Sequence, residues 1–145
     1  MDYKREAADK LRQYTARQSS LDRTAEELLR LEAEFTRIRS VGVDATPVAG
    51  GTNTREDRLV NNIAQRAELR AARQDTERWL RIMDSALDEL TEEERLILSR
   101  FYIHRERGAA DRLGEELHLE RAQVYNRKNA ALKRFTLLLY GVTER

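Results

Sequence analysis

Cysteine is absent from the 145 residues. That removes disulfides, thiolate metal sites and thiol nucleophiles, and it fits a reducing cytosol. Proline occurs once and glycine six times, so little in the chain interrupts helix. Three Phe and one Trp are few for a thick sheet core. The longest purely apolar stretches are short, as in Leu137-Leu138-Leu139-Tyr140, and Met1 to Glu6 holds no apolar signal core. Neither a membrane span nor secretion is expected.

What is present in quantity is charge. Charged residues make up 37% and apolar residues 40% of the chain, a balance that favours long, solvated, amphipathic helices and an all-α protein. This length holds one average domain, or a small domain with an extended arm. The formal net charge of +1 hides an uneven distribution. Arg121, Arg127, Lys128, Lys133 and Arg134 lie in a stretch without a single acid, whereas Asp111 to Glu120 is acidic.

From Tyr3 to Phe35, the residues Tyr3, Ala7, Leu11, Tyr14, Gln18, Leu21, Ala25, Leu28, Glu32 and Phe35 recur at alternating steps of four and three. This is a heptad stripe, imperfect at Gln18 and Glu32, and it suits a short antiparallel hairpin. Leu29, Leu31 and Ile38 widen its apolar face. Ser40 to Arg55 carries the one proline and three glycines and is expected to be a loop. Thr54 with Asp57 then resembles a helix start with an N-cap. A second stripe follows in Leu59, Val60, Ile63, Ala67, Ala71, Trp79, Ile82, Met83, Ala86 and Leu90. Two such helices would pack antiparallel, because neither can bury its stripe alone. Residues 1–90 are therefore expected to form a coiled-coil-like arm with a loop at about 40–55.

Residues 91–145 have a different pattern. Thr91 and Glu94 form a capping box, and Leu96, Ile97, Phe101 and Tyr102 supply the apolar face of the helix it opens. HRERG, from His104 to Gly108, ends that helix. A short helix from Ala109 to His118 follows, then a turn at Leu119 and Glu120, then a last helix from Arg121 to about Tyr140, stopped by Gly141.

A helix-turn-helix needs a small residue where two helices cross, apolar residues that set their angle, and a polar face on the second helix. Gly114 is the small residue here, and Leu113, Leu117, Leu119 and Val124 set the angle. Arg121, Ala122, Gln123, Tyr125, Asn126 and Asn129 remain for an outward face. Arg can bond guanine in a fork, Gln and Asn can bond adenine, and Ala can touch a thymine methyl. Arg105, Arg107, Arg127, Lys128, Lys133 and Arg134 are candidate phosphate contacts.

The runs LTEEERLILSRFYI (Leu90 to Ile103), RLGEELHLERAQVYNRKNAALKRF (Arg112 to Phe135) and LLLYG (Leu137 to Gly141) resemble the ArpU and RinA type of phage transcriptional regulators. That family is similar in its C-terminal part to region four of sigma factors. The resemblance implies a sigma-like helix-turn-helix, activation of late phage genes and a cytoplasmic location in a bacterial host. His118 departs from it, standing where such turns usually have Gly and need a left-handed backbone. Glu120 replaces the usual Ser or Thr cap, and its carboxylate can still favour the helix dipole.

The expected function is a non-enzymatic, sequence-specific transcription regulator that binds double-stranded DNA and needs no cofactor. The arm would serve a homodimer or a contact with RNA polymerase. Competing readings are the small subunit of a phage terminase and a coiled-coil adaptor that binds no nucleic acid. Other chemistry finds little footing. His104 and His118 are far apart for paired helical metal ligands, the acids from Glu92 to Glu94 read as caps, and Trp79 reads as a packing anchor. Neither a nucleophile–base pair nor a phosphate-binding glycine loop is evident.

Overall fold

The computed structural model describes the backbone of residues 1–44 and 51–143 and the side chains of residues 1–40 and 54–143. It is all-α. Helix α1 spans Tyr3–Asp44, α2 Gly51–Asp88, α3 Glu92–Leu98, α4 Ala109–Leu117 and α5 Arg121–Tyr140. A π-helical turn over Ser99–Ile103 follows α3 directly. Among the described residues there is no strand, and no helix is long and apolar enough to cross a membrane.

Both described ends of the expected loop from Ser40 to Arg55 are helical. Ser40–Asp44 belongs to α1 and Gly51–Arg55 to α2, while 45–50, including Pro47, lie outside the described residues. Thr54 accordingly sits inside α2 instead of capping it. The penalty for Gly, Thr and Asn in helix is about 1 kcal/mol or less per residue, small enough for a long adjoining helix to override.

Two compact units divide the chain, one of Met1–Gln18 with Trp79–Arg145 and the other of Ser19–Arg78. The first thus holds both Met1–Gln18 and Trp79–Leu90, which the sequence pattern groups with the long arm.

Within Ser19–Arg78, α1 and α2 run antiparallel. The Asn62 amide donates to the Leu31 carbonyl at 2.8 Å, Arg55 donates to the Ile38 carbonyl at 3.2 Å, and Arg70 pairs with Glu32 at 3.2 Å. Of the apolar stripe anticipated on α2, Leu59 alone turns inward in this unit. Leu59, Asn62, Arg66, Leu69 and Arg73, at steps of three and four, are the buried or half-buried positions. Val60 and Ile63 stand outward at 62% and 51% exposure, as does Leu29 on α1 at 67%. Polar members make this seam workable. Asn62 also accepts from Arg66 Nε at 2.9 Å, and the Arg66 guanidinium covers the Phe35 ring at 4.8 Å. A buried amide with both ends bonded avoids the cost of an unpaired one.

In the other unit, Ala7, Leu11, Met83, Ala86, Leu90, Leu98, Leu132 and Phe135 form one core cluster, and Ile97, Ala110, Leu113 and Val124 a second. Ile82, expected inward, is exposed. The π turn joins the clusters: Phe101 packs on the second, while Tyr102 and Ile103 pack on the first. Its wider winding is closed by the His104 amide donating to the Ser99 carbonyl at 2.7 Å. Tyr14 donates its hydroxyl to Asp84 and lies beside Trp79, whose other partner is the Arg17 guanidinium at 4.5 Å.

Candidate nucleic-acid interface

Three short helices position the surface that carries the basic run. Thr91 and Glu94 start α3 reciprocally, with the Thr91 hydroxyl accepting from the Glu94 amide at 3.2 Å and Glu94 Oε1 accepting from the Thr91 amide at 2.9 Å. Ile97 of α3 packs with Ala110 and Leu113 of α4 and Val124 of α5. Those contacts fix how α5 lies across α4.

The turn between α4 and α5 is tight. His118 takes a left-handed conformation (φ 57°, ψ 47°), and the Leu119 amide returns to the Gly114 carbonyl at 2.9 Å. Any Cβ at Gly114 would lie 2.8 Å from the Leu119 carbonyl oxygen, closer than packing allows. Glycine is thus required there by contact with backbone. Glu120 precedes α5 with extended backbone, and its amide donates to Gln123 Oε1 at 2.9 Å.

The faces of α5 then separate by chemistry. Val124, Ala131, Leu132, Phe135 and Thr136 are buried. Opposite them, Ala122, Asn126, Asn129 and Lys133 are exposed and form one stripe at helical spacing. None of their side chains has a hydrogen bond or ion pair to another described residue. On one flank, Arg127 pairs with Glu93, and Arg134 pairs with Glu94 at 2.6 Å while donating to the Glu89 carbonyl at 3.1 Å. On the other flank, Arg121 lies 5.9 Å from the centre of the Tyr125 ring and 3.9 Å from Asp111, and the neighbouring Tyr125 and Asp111 raise its pKa further. Lys128 sits 5.2 Å from the centres of both the Phe101 and Tyr125 rings.

The candidates for base contact therefore fall into three groups. Ala122, Asn126 and Asn129 share the outward stripe, Arg121 and Tyr125 lie on the aromatic flank, and the Gln123 oxygen is taken up by the cap of its own helix. Of the candidate phosphate contacts, Lys133 joins the outward stripe and Lys128 the aromatic flank. Arg105 and Arg107 are exposed between the π turn and α4, while Arg127 and Arg134 are held by the acids at the start of α3.

No family model, curated protein or solved structure matches the chain.

One basic side chain beside this surface escaped sequence reasoning. Arg12 of α1 lies over the Tyr102 ring at 5.3 Å, some ninety positions upstream, and no local motif marks it. Among the described residues, no group of three or more His, Asp or Glu side chains could hold a metal ion.

Proposed function

We propose that the chain is a sequence-specific DNA-binding regulator in which α4, the turn at His118 and α5 act as a helix-turn-helix. The observation that carries this reading is the outward stripe of α5. Asn126 and Asn129 have free amide groups, Ala122 offers a methyl group and Lys133 a cation, all on a helix held by a close crossing at Gly114. Solvated amides near a helix start suit base edges in a major groove. The polar, nearly neutral character of the stripe favours reading over mere adhesion, for which a uniformly basic face would suffice.

The resemblance to ArpU and RinA type regulators gives the proposal its direction, namely activation of late phage or prophage genes in the host cytoplasm. A second copy paired through the long helices belongs to the same reading. Val60 and Ile63 are exposed on α2, and a second copy would cover this apolar pair. Sedimentation at micromolar concentration should give twice the monomer mass. Contact with RNA polymerase is the other use of these helices.

Fluorescence anisotropy of labelled duplex DNA, titrated at several salt concentrations, tests the binding itself. Affinity should fall steeply with salt, with a slope of about −0.9 for each phosphate neutralised. Absence of binding to any duplex at low salt would remove the proposal.

A further inference from the structure

A concavity of about 400 Å³ opens between the π turn, the start of α4 and the start of α5, within the compact unit that holds all three. Arg12, Arg105, Arg121 and Lys128 line it, together with the acids Glu106 and Asp111. Four cations thus face two carboxylates. Glu106 is already engaged by Arg100 at 3.1 Å and Arg112 at 3.6 Å, and Asp111 stands 3.9 Å from Arg121.

Three of the four cations rest on aromatic rings. Arg12 covers Tyr102, Lys128 lies over Phe101 and Tyr125, and Arg121 lies 5.9 Å from the centre of the Tyr125 ring. A ring face positions a cation without neutralising it or consuming its N–H donors. Arg12 also pairs with Asp9 at 2.7 Å, which occupies one edge of its guanidinium. Gly108, Ala109, Ala110 and Asp111, the opening of the nine-residue α4, complete the wall, and backbone amides at such a position favour an anion.

We propose that this pocket binds a phosphoryl group. Several convergent cations suit a multiply charged tetrahedral anion better than a carboxylate, for which a single guanidinium fork suffices. The volume lies within the usual range of small-molecule sites. The phosphoryl group can belong to the DNA backbone or to a small phosphorylated compound. The inference deepens the DNA-binding reading, since Arg121 and Lys128 lie on α5, but Arg12 and Arg105 bring the pocket a chemistry that can be tested without DNA.

The experiment is calorimetric titration of the full chain with sodium pyrophosphate, with sodium acetate as the carboxylate control, on wild type, Arg12→Gln, Arg105→Gln and Asp9→Asn. In parallel, the salt dependence of duplex binding is measured for the same set, and circular dichroism confirms that each variant is folded. Pyrophosphate should saturate where acetate does not, and each Arg→Gln change should weaken it roughly ten- to a hundredfold. Asp9→Asn breaks the same ion pair yet keeps the cation, so it should not weaken binding. A fall of about 0.9 in the duplex salt slope for each arginine variant assigns the phosphate to DNA. An unchanged slope with lost pyrophosphate binding assigns it to a small compound. If the duplex fails to bind but pyrophosphate depends on Arg12, the pocket stands and the DNA reading falls. If the duplex binds and neither ligand depends on Arg12 or Arg105, the pocket is overturned alone.

Discussion

Replacing Gly114 by alanine should destabilise the protein, although the same change inside an ordinary helix stabilises it. Alanine is about 1 kcal/mol more favourable than glycine in a helix interior. At Gly114, however, the new Cβ would meet the Leu119 carbonyl oxygen at 2.8 Å and the Val124 side chain at 3.8 Å. The oxygen is backbone, and its residue is anchored by the 2.9 Å bond from the Leu119 amide to the Gly114 carbonyl. Relief therefore requires α5 to move away from α4, at an overpacking cost of about 1–3 kcal/mol. The net expectation is a loss of about 1 kcal/mol, or a melting temperature lower by about 2–4 °C for a chain of this size. His118→Gly supplies the opposite sign. A left-handed non-glycine residue costs about 1–2 kcal/mol, and glycine returns part of that as unfolded-state entropy, leaving a gain of up to about 1 kcal/mol. Both are read by thermal melts followed by circular dichroism. A Gly114→Ala protein more stable than wild type would refute the close crossing.

Thr91→Ala removes one half of the capping box and should cost about 1 kcal/mol, measured by urea denaturation. Burial, then the hydrogen bond and charge of Asp84, push the Tyr14 phenol from 10.0 up to about 12. Because the folded value is the higher one, its contribution is complete below pH 10 and is lost as pH rises toward 12; Tyr14→Phe should make alkaline unfolding shallower over that window. Asn62→Ala should destabilise by about 1–3 kcal/mol, since it removes the acceptor of Arg66 and a buried hydrogen bond to α1. Arg127→Ala should affect DNA affinity less than Lys133→Ala, because Arg127 is already paired with Glu93; anisotropy at fixed salt compares them.

The all-α fold, the capping box and the small residue at Gly114 were legible in the sequence because each follows from local rules of spacing and backbone chemistry. The α2 seam was legible only in part, at Leu59 and from Trp79 to Leu90. Its inward positions carry Asn62, Arg66 and Arg73, while Val60, Ile63 and Ile82 face out, so a search for apolar residues selects the neighbouring stripe. Partnered polar groups and snorkelling arginine stems reverse the usual signal. Within the candidate interface, the exposed side chains of α5 could be listed from the sequence. Their division could not, since it depends on Glu93, Glu94, Phe101 and Asp111, which lie outside α5 and reach it only through tertiary packing.

The central claim is that the outward stripe of α5 reads base pairs. Selection from a randomised duplex pool by wild type, Asn126→Ala and Lys133→Ala tests it most directly. Wild type should enrich one motif. Asn126→Ala should relax the preference at one position by about 1–3 kcal/mol, and Lys133→Ala should weaken all sequences alike. Enrichment of the same motif, equally strong, by wild type and by a combined Ala122→Ser, Asn126→Ala and Asn129→Ala variant would contradict the account.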